Sequence, residues 1–417
     1  MARTPGRRLV TATPVRTSRP PFLPPARPGP GAGTSVVLLL GLFVFALMGR
    51  FTLDRLGFAD EADLDLRLVG APVVAAAVLL WRYRPGVPGR SGGWPRPATA
   101  SLVLFTALAL TAFWAPYGAR VGDRLTDLLG LVLLVVCVTV VAVDDPVRAR
   151  RTILVALLLA GVVYAGAGLL SGDTNVQGRT VAFGGGPNVF IRVVGLGLVA
   201  TVTLAVSTRR RVLLLPVPLL VTAAVLSGSR GGLAAIAVAG AAAVVLSRRH
   251  LSVRGVLTVL AAVPLLGAAL LAVADPATVE VLRRRFVEDL FVTDQFSGRP
   301  ELFAQTLDLF LTHPLVGGGL DAYFVAFGRS EDLSYPHNLV LEVAATGGVI
   351  ALGLLAGVAV SVVRAWRRIG ALSADQVGLL CAAVLVAAAS MTSGDLYDTR
   401  FLWIFALLAV LPDRDAR

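Results

Sequence analysis

Apolar runs of about 20 residues recur along almost the whole chain, and that length is what a helix needs to cross a bilayer. They fall at 34–50, 67–82, 98–117, 125–143, 152–170, 187–207, 211–227, 231–247, 255–274, 338–363, 376–393 and 395–411. The pattern predicts an all-α polytopic membrane protein with about 12 transmembrane helices. Composition agrees: 56% of the 417 residues are hydrophobic, 15% are charged and the mean hydropathy is +0.78. Soluble domains carry about 25% charged residues, so an ordinary soluble enzyme, a disordered chain and a disulfide scaffold are all excluded. Cys137 and Cys381 both lie within apolar runs and read as small hydrophobes.

Charge placement orients the spans. All 38 basic residues besides histidine are arginines. With the N-terminus inside, the twelve spans put about 24 arginines and about 5 acidic residues on the cytoplasmic side, against about 14 and about 21 outside. That asymmetry is what the positive-inside rule predicts, so the net charge of +12 reports orientation and calls for no nucleic-acid partner. The expected organisation is a Pro- and Arg-rich disordered tail at 1–33, helices one to nine over 34–274, an extracytoplasmic loop at 275–337, helices ten to twelve over 338–411, and a short cytoplasmic tail at 412–417. Within the loop, 276–291 and 300–312 carry apolar residues at helical spacing and read as amphipathic helices on the outer membrane surface.

Charged groups at the lip of a span are costly and mark function by default. Four arginines stand out on the outer side. Arg179 lies in SGDTNVQGRTVAFGGGPN, and Arg192 sits five residues into the span that follows. Arg230 closes a span in LSGSRGG, and Arg299 precedes Pro300 in FSGRPELF, a setting that puts it at a helix N-terminus. Convergent guanidinium groups suit a diphosphate, because each can pair bidentately with phosphate. Lipid-headgroup contact is the simpler reading for Arg179 and Arg192.

Among the histidines, His250 is a cytoplasmic loop residue and His313 in THPLVGGG is a helix-end group. His337, in SYPHNLVLEV at the mouth of the tenth span, faces the same side as the arginines. It is the residue best suited to proton transfer near neutrality. Asn188, Asn338, His313 and Asp398 are secondary candidates for acceptor contact or support. Asp398 has a local ion pair with Arg400 as its simpler reading. Asp63 and Asp65 have the spacing of a divalent-cation or base pair, but an acidic outer loop obeying the topology is the simpler reading.

The runs LSGSRGGLAAI, SGRPELFAQTLDLFLTHPLVGGGLDAYF and PHNLVLEVAATGGVIALGLL, in that order and with that sidedness, resemble the O-antigen ligase and O-antigen polymerase superfamily. The resemblance is close over 220–365. It implies a GT-C-like membrane fold and an inverting, metal-independent glycosyltransferase of the cytoplasmic membrane, with its site facing outward and no cofactor. The donor it implies is a glycan on undecaprenyl diphosphate, and the acceptor a glycan, lipid or protein. Arg230 and Arg299 would then bind the diphosphate, Arg192 and Arg179 remaining diphosphate candidates on their placement alone. His337 would be the essential histidine, as base or as diphosphate ligand. Two alternatives stand beside it. One is a polyprenyl-monophosphate-sugar transferase using Asp63 or Asp65; the other is a 12-span transporter, which the lack of an internal repeat disfavours.

Overall fold

A computed structural model describes residues 32–52, 65–84, 94–247, 279–280, 283, 299–328 and 335–413. Its helices, in chain order, are α1 (Ala32–Met48), α2 (Arg67–Arg82), α3 (Arg96–Leu110), α4 (Val121–Ala142), α5 (Pro146–Ser171), α6 (Pro187–Thr208), α7 (Val217–Leu226) and α8 (Arg230–Leu246). After these come α9 (Arg299–Thr312), α10 (Ala322–Phe327), α11 (Leu339–Ile369), α12 (Ala374–Ala389) and α13 (Arg400–Val410). Among the described residues there is no β-strand, only isolated bridges such as Thr174 with Thr180.

Among the described residues, five helical stretches are long and apolar enough to cross a membrane: Arg96–Trp114, Val121–Ala142, Pro146–Ser171, Pro187–Thr208 and Leu339–Ile369. Gly33–Met48, Arg211–Leu226, Arg230–Leu246 and Ala374–Ala389 are shorter apolar helices. Helices thus occupy eleven of the twelve predicted runs, while the run at 255–274 and the loop helix at 276–291 fall outside the described residues, residues 279, 280 and 283 apart. The chain is a multi-pass helical membrane protein.

Packing follows the logic of helices in lipid, where close approach of small residues replaces a hydrophobic driving force. A Cβ on Gly161 of α5 would stand 2.6 Å from the Cα of Gly197 of α6, so the two backbones meet face to face. The core also stacks Phe105 edge-on against Trp403, with ring centroids 5.2 Å apart. Large apolar side chains such as Leu80 and Leu170 stay exposed on the rim, where lipid is the solvent.

One element departs from a straight span. α11 is broken at Gly348, whose φ of 64° only glycine takes without strain. The broken turn is repaired by the chain that follows α9. Val349 donates to the carbonyl of Pro314 (2.8 Å), and Gly318 and Gly319 donate to the carbonyls of Ala345 (2.8 Å) and Thr346 (3.2 Å). The break lies nine residues into α11, about 14 Å along its axis. Residues 314–319, within the stretch expected as an outer loop, pack against the flank of α11. α9 itself buries Leu302 and Thr306 and packs on α11, leaving Leu307 and Leu311 exposed.

Candidate functional site

The turn Ser227–Ser229 joins α7 to α8 and presents the first turn of α8. Ser229 is the N-cap: its Oγ accepts from the Gly232 amide (3.3 Å) and donates to Asn188 Oδ1 (2.8 Å). Arg179 is buried beneath this turn, where its Nε donates to the Ser227 carbonyl (3.0 Å) and its Nη2 to Asn188 Oδ1 (3.4 Å). Arg230 is the first residue of α8, and its Nη1 is buried with no hydrogen-bond partner among the described residues. The Arg299 guanidinium lies beside the same turn, with Nη1 3.7 Å from where a Cβ on Gly231 would stand. Arg179, Asn188, Arg230 and Arg299, separated by up to 120 positions in the chain, therefore meet at one helix N-terminus, which itself favours anions.

A second element joins this cluster. The turn Ser390–Ser393 between α12 and α13 lies against three parts of the site. Leu339 of α11 donates to the Ser390 carbonyl (2.9 Å) and the Asn338 amide to the Met391 carbonyl (3.1 Å). Thr392 Oγ1 lies 2.6 Å from the Cβ position of Gly231. Arg192, buried in α6, donates to the Ser393 carbonyl, with Nη1 4.0 Å from Asp398. Arg179 and Arg192 thus turn into the protein, and the headgroup-contact reading of both is overturned.

His337 stands at the lip of α11. Its φ is 56°, and its ring lies 4.3 Å from the ring of Tyr335. A non-glycine residue held in the left-handed region is typical of positions selected for placement. Asn338 follows as N-cap of α11, its Oδ1 accepting from the amides of Val340 and Leu341 (3.0 Å each). Burial pushes the Tyr335 phenol above its ordinary pKa, and the charges of Asp398 and Asp395 add to the shift, so it stays neutral. His313 is elsewhere: exposed at the end of α9, its Nδ1 3.0 Å from Thr312 Oγ1, in keeping with a helix-end role. Asp398 pairs with Arg400 at 3.4 Å, the local ion pair expected.

Sequence reasoning missed a buried ion network beside this site. Arg50 donates to Asp127 Oδ1 (3.0 Å) and Asp395 Oδ2 (2.5 Å), and Arg124 to Asp395 (2.8 Å) and Asp321 (2.8 Å). Arg120 also holds Asp321 (2.9 Å), while Arg67 joins Asp65 (2.8 Å) to Asp127 (2.5 Å). Buried charges persist only when paired in this way. Asp65, one of the two residues of the D-x-D spacing, is thereby bonded to Arg67; burial would raise its pKa, but the Arg67 hydrogen bonds and charge outweigh that and lower it. Its partner Asp63 lies outside the described residues. Burial likewise acts upward on Asp321, yet hydrogen bonds from Arg120 and the charge of Arg124 hold its carboxyl below the usual range. Against this network, Glu342 Oε2 and the hydroxyls of Tyr323 and Tyr397 are buried without hydrogen-bond partners among the described residues. All three residues line a cavity of about 40 Å³, wide enough for water. The acidic residues carry no motif that would pair them with arginines up to 345 positions away, so only tertiary contact reveals the network.

Comparison with known proteins adds an independent line. Residues 215–356 match the O-antigen ligase family model. That stretch contains Arg230, Arg299, His337 and Asn338, whereas Arg179, Asn188, Arg192 and Asp398 lie outside it. The chain is also 28% identical over 279 residues to a protein of Pseudomonas aeruginosa described as O-antigen ligase. The match covers 64% of this chain and 64% of that relative's length. The likeness carried by LSGSRGG, SGRPELF and PHNLVLE is thus a likeness to the O-antigen ligase family, matched over residues 215–356 of a multi-pass helical membrane protein.

Proposed function

We propose that this protein transfers a glycan from an undecaprenyl-diphosphate carrier to an acceptor hydroxyl on the outer face of the cytoplasmic membrane. The observation that carries the reading is the approach of Arg299 to the N-terminal turn of α8 headed by Arg230. Two guanidinium groups beside one helix N-terminus suit the charge of a diphosphate. The family match supports the same class of reaction.

The acceptor oxygen attacks the anomeric carbon as the bond from that carbon to the diphosphate oxygen breaks, so configuration inverts. Negative charge grows on the departing oxygen, where Arg230 and Arg299 neutralise it without a metal ion. His337 takes the proton of the acceptor hydroxyl. Arg179 and Asn188 hold the Ser227–Ser229 turn, and Arg192 holds the Ser390–Ser393 turn, so these position the clamp from behind.

The test is glycan transfer by the purified protein in proteoliposomes with a lipid-diphosphate donor. Arg230→Lys and Arg299→Lys keep the charge but lose the planar fork, and each is expected to slow transfer by about 10²-fold. His337→Ala abolishes turnover at normal membrane level, whereas His313→Ala leaves it intact. Chelation of divalent cations leaves transfer unchanged. Near-normal transfer in all three site variants would refute the assignment.

A further inference from the structure

At the opposite end of the molecule, the last turns of α11 and the first turn of α3 frame a cavity of about 1020 Å³. Its polar rim is formed by Arg96, Arg364 and Arg368, and its apolar wall includes Gly357, Val360 and Ile369. All three arginines are exposed, and none forms an ion pair with a described residue. Asp413, the one acidic residue among the described residues of the rim, is already paired with Arg150. α3 begins at Arg96 on this rim, with Pro95 as its N-cap and no side-chain cap bond.

We propose that this cavity binds an anionic phospholipid of the cytoplasmic leaflet, its phosphate held by Arg96, Arg364 and Arg368 and an acyl chain lying along α11. Charge complementarity argues for the headgroup: three guanidinium groups and a positive helix end lie on one rim, with no ion-pair partner for the three and no free carboxylate among the described residues. Dimensions argue for the chain. From Gly357 to Arg364 the wall runs about 10 Å along the helix axis, within the depth of one leaflet of a hydrocarbon core of about 30 Å. Basic pockets between helices on the cytoplasmic side are the usual seats of such headgroups. The orientation is that of the proposed function; the binding itself does not depend on glycan transfer.

The test is the thermal midpoint of the full chain, purified in neutral detergent, titrated with phosphatidylglycerol, phosphatidylcholine or inorganic phosphate. Phosphatidylglycerol is expected to raise the midpoint, and neither of the others to do so. The triple variant Arg96→Gln, Arg364→Gln, Arg368→Gln is expected to need about tenfold more phosphatidylglycerol for the same effect. The triple variant Arg209→Gln, Arg210→Gln, Arg211→Gln, which removes the same charge elsewhere, is expected to behave as the parent. An equal response to phosphatidylcholine or phosphate, or an equal loss in the control, overturns the site. Should the first triple variant fail to fold, Arg368→Gln alone is expected to weaken the response about threefold, and an unchanged response overturns it.

Discussion

The side-chain amide of Asn338 donates to the carbonyl of Met391 at 3.1 Å, tying the lip of α11 to the turn that also receives Arg192. The same side chain caps α11 through its oxygen. Its two ends therefore have separable roles. Asn338→Asp keeps the capping oxygen and loses the donor to Met391; it is expected to fold and insert normally yet transfer glycan more slowly, because His337 loses its tether. Asn338→Ala loses both, and is expected to cost a further ~1 kcal/mol of stability from the missing cap. Equal transfer by Asn338→Asp and the parent would separate His337 from the 390–393 turn.

Gly348 tests the inserted segment. A Cβ there would stand 2.3 Å from the carbonyl oxygen of Leu315, on a backbone already at positive φ. Gly348→Ala is expected to destabilise by about 2 kcal/mol or more. Gly353, on the same helix with open space around its Cβ position, provides the control: Gly353→Ala should be neutral or slightly stabilising. Melting curves in one detergent compare the two directly.

Acid stability follows from Asp321. Its pKa is lower folded than unfolded, so the unfolded chain takes up the proton first as pH falls. The pair with Arg120 and Arg124 thus contributes fully above the ordinary carboxylate pKa of about 4 and fades below it. Between about pH 6 and about pH 3 the parent is expected to lose more of its melting temperature than Asp321→Asn, which has no such proton to gain. Parallel curves for the two proteins would count against the ion pair.

Orientation is open to thiol labelling, since Cys137 and Cys381 are both buried and give little background. His313 and Arg210 are exposed at opposite ends of the bundle in the proposed topology. In intact cells, His313→Cys is expected to react with an impermeant maleimide and Arg210→Cys to stay unlabelled. The reverse pattern would place the arginine cluster on the wrong face for a donor presented outside.

Helix positions and the turns that carry Arg230, Arg299 and His337 are legible in the sequence, because both are written locally. Twenty apolar residues in a row leave the backbone no partner but itself in lipid, and Arg230, Arg299 and His337 each sit in a turn signalled by adjacent Gly, Ser or Pro. Pairings across the chain are not local. That Arg179 and Arg192 would spend their guanidinium groups on the carbonyls of Ser227 and Ser393 follows from which helices pack together, and hydropathy is blind to it. The same holds for Asp395 between Arg50 and Arg124, and for the return of residues 314–319 to the break at Gly348. In each case a buried polar group had to find its partner in three dimensions, and burial made that partner obligatory without naming it.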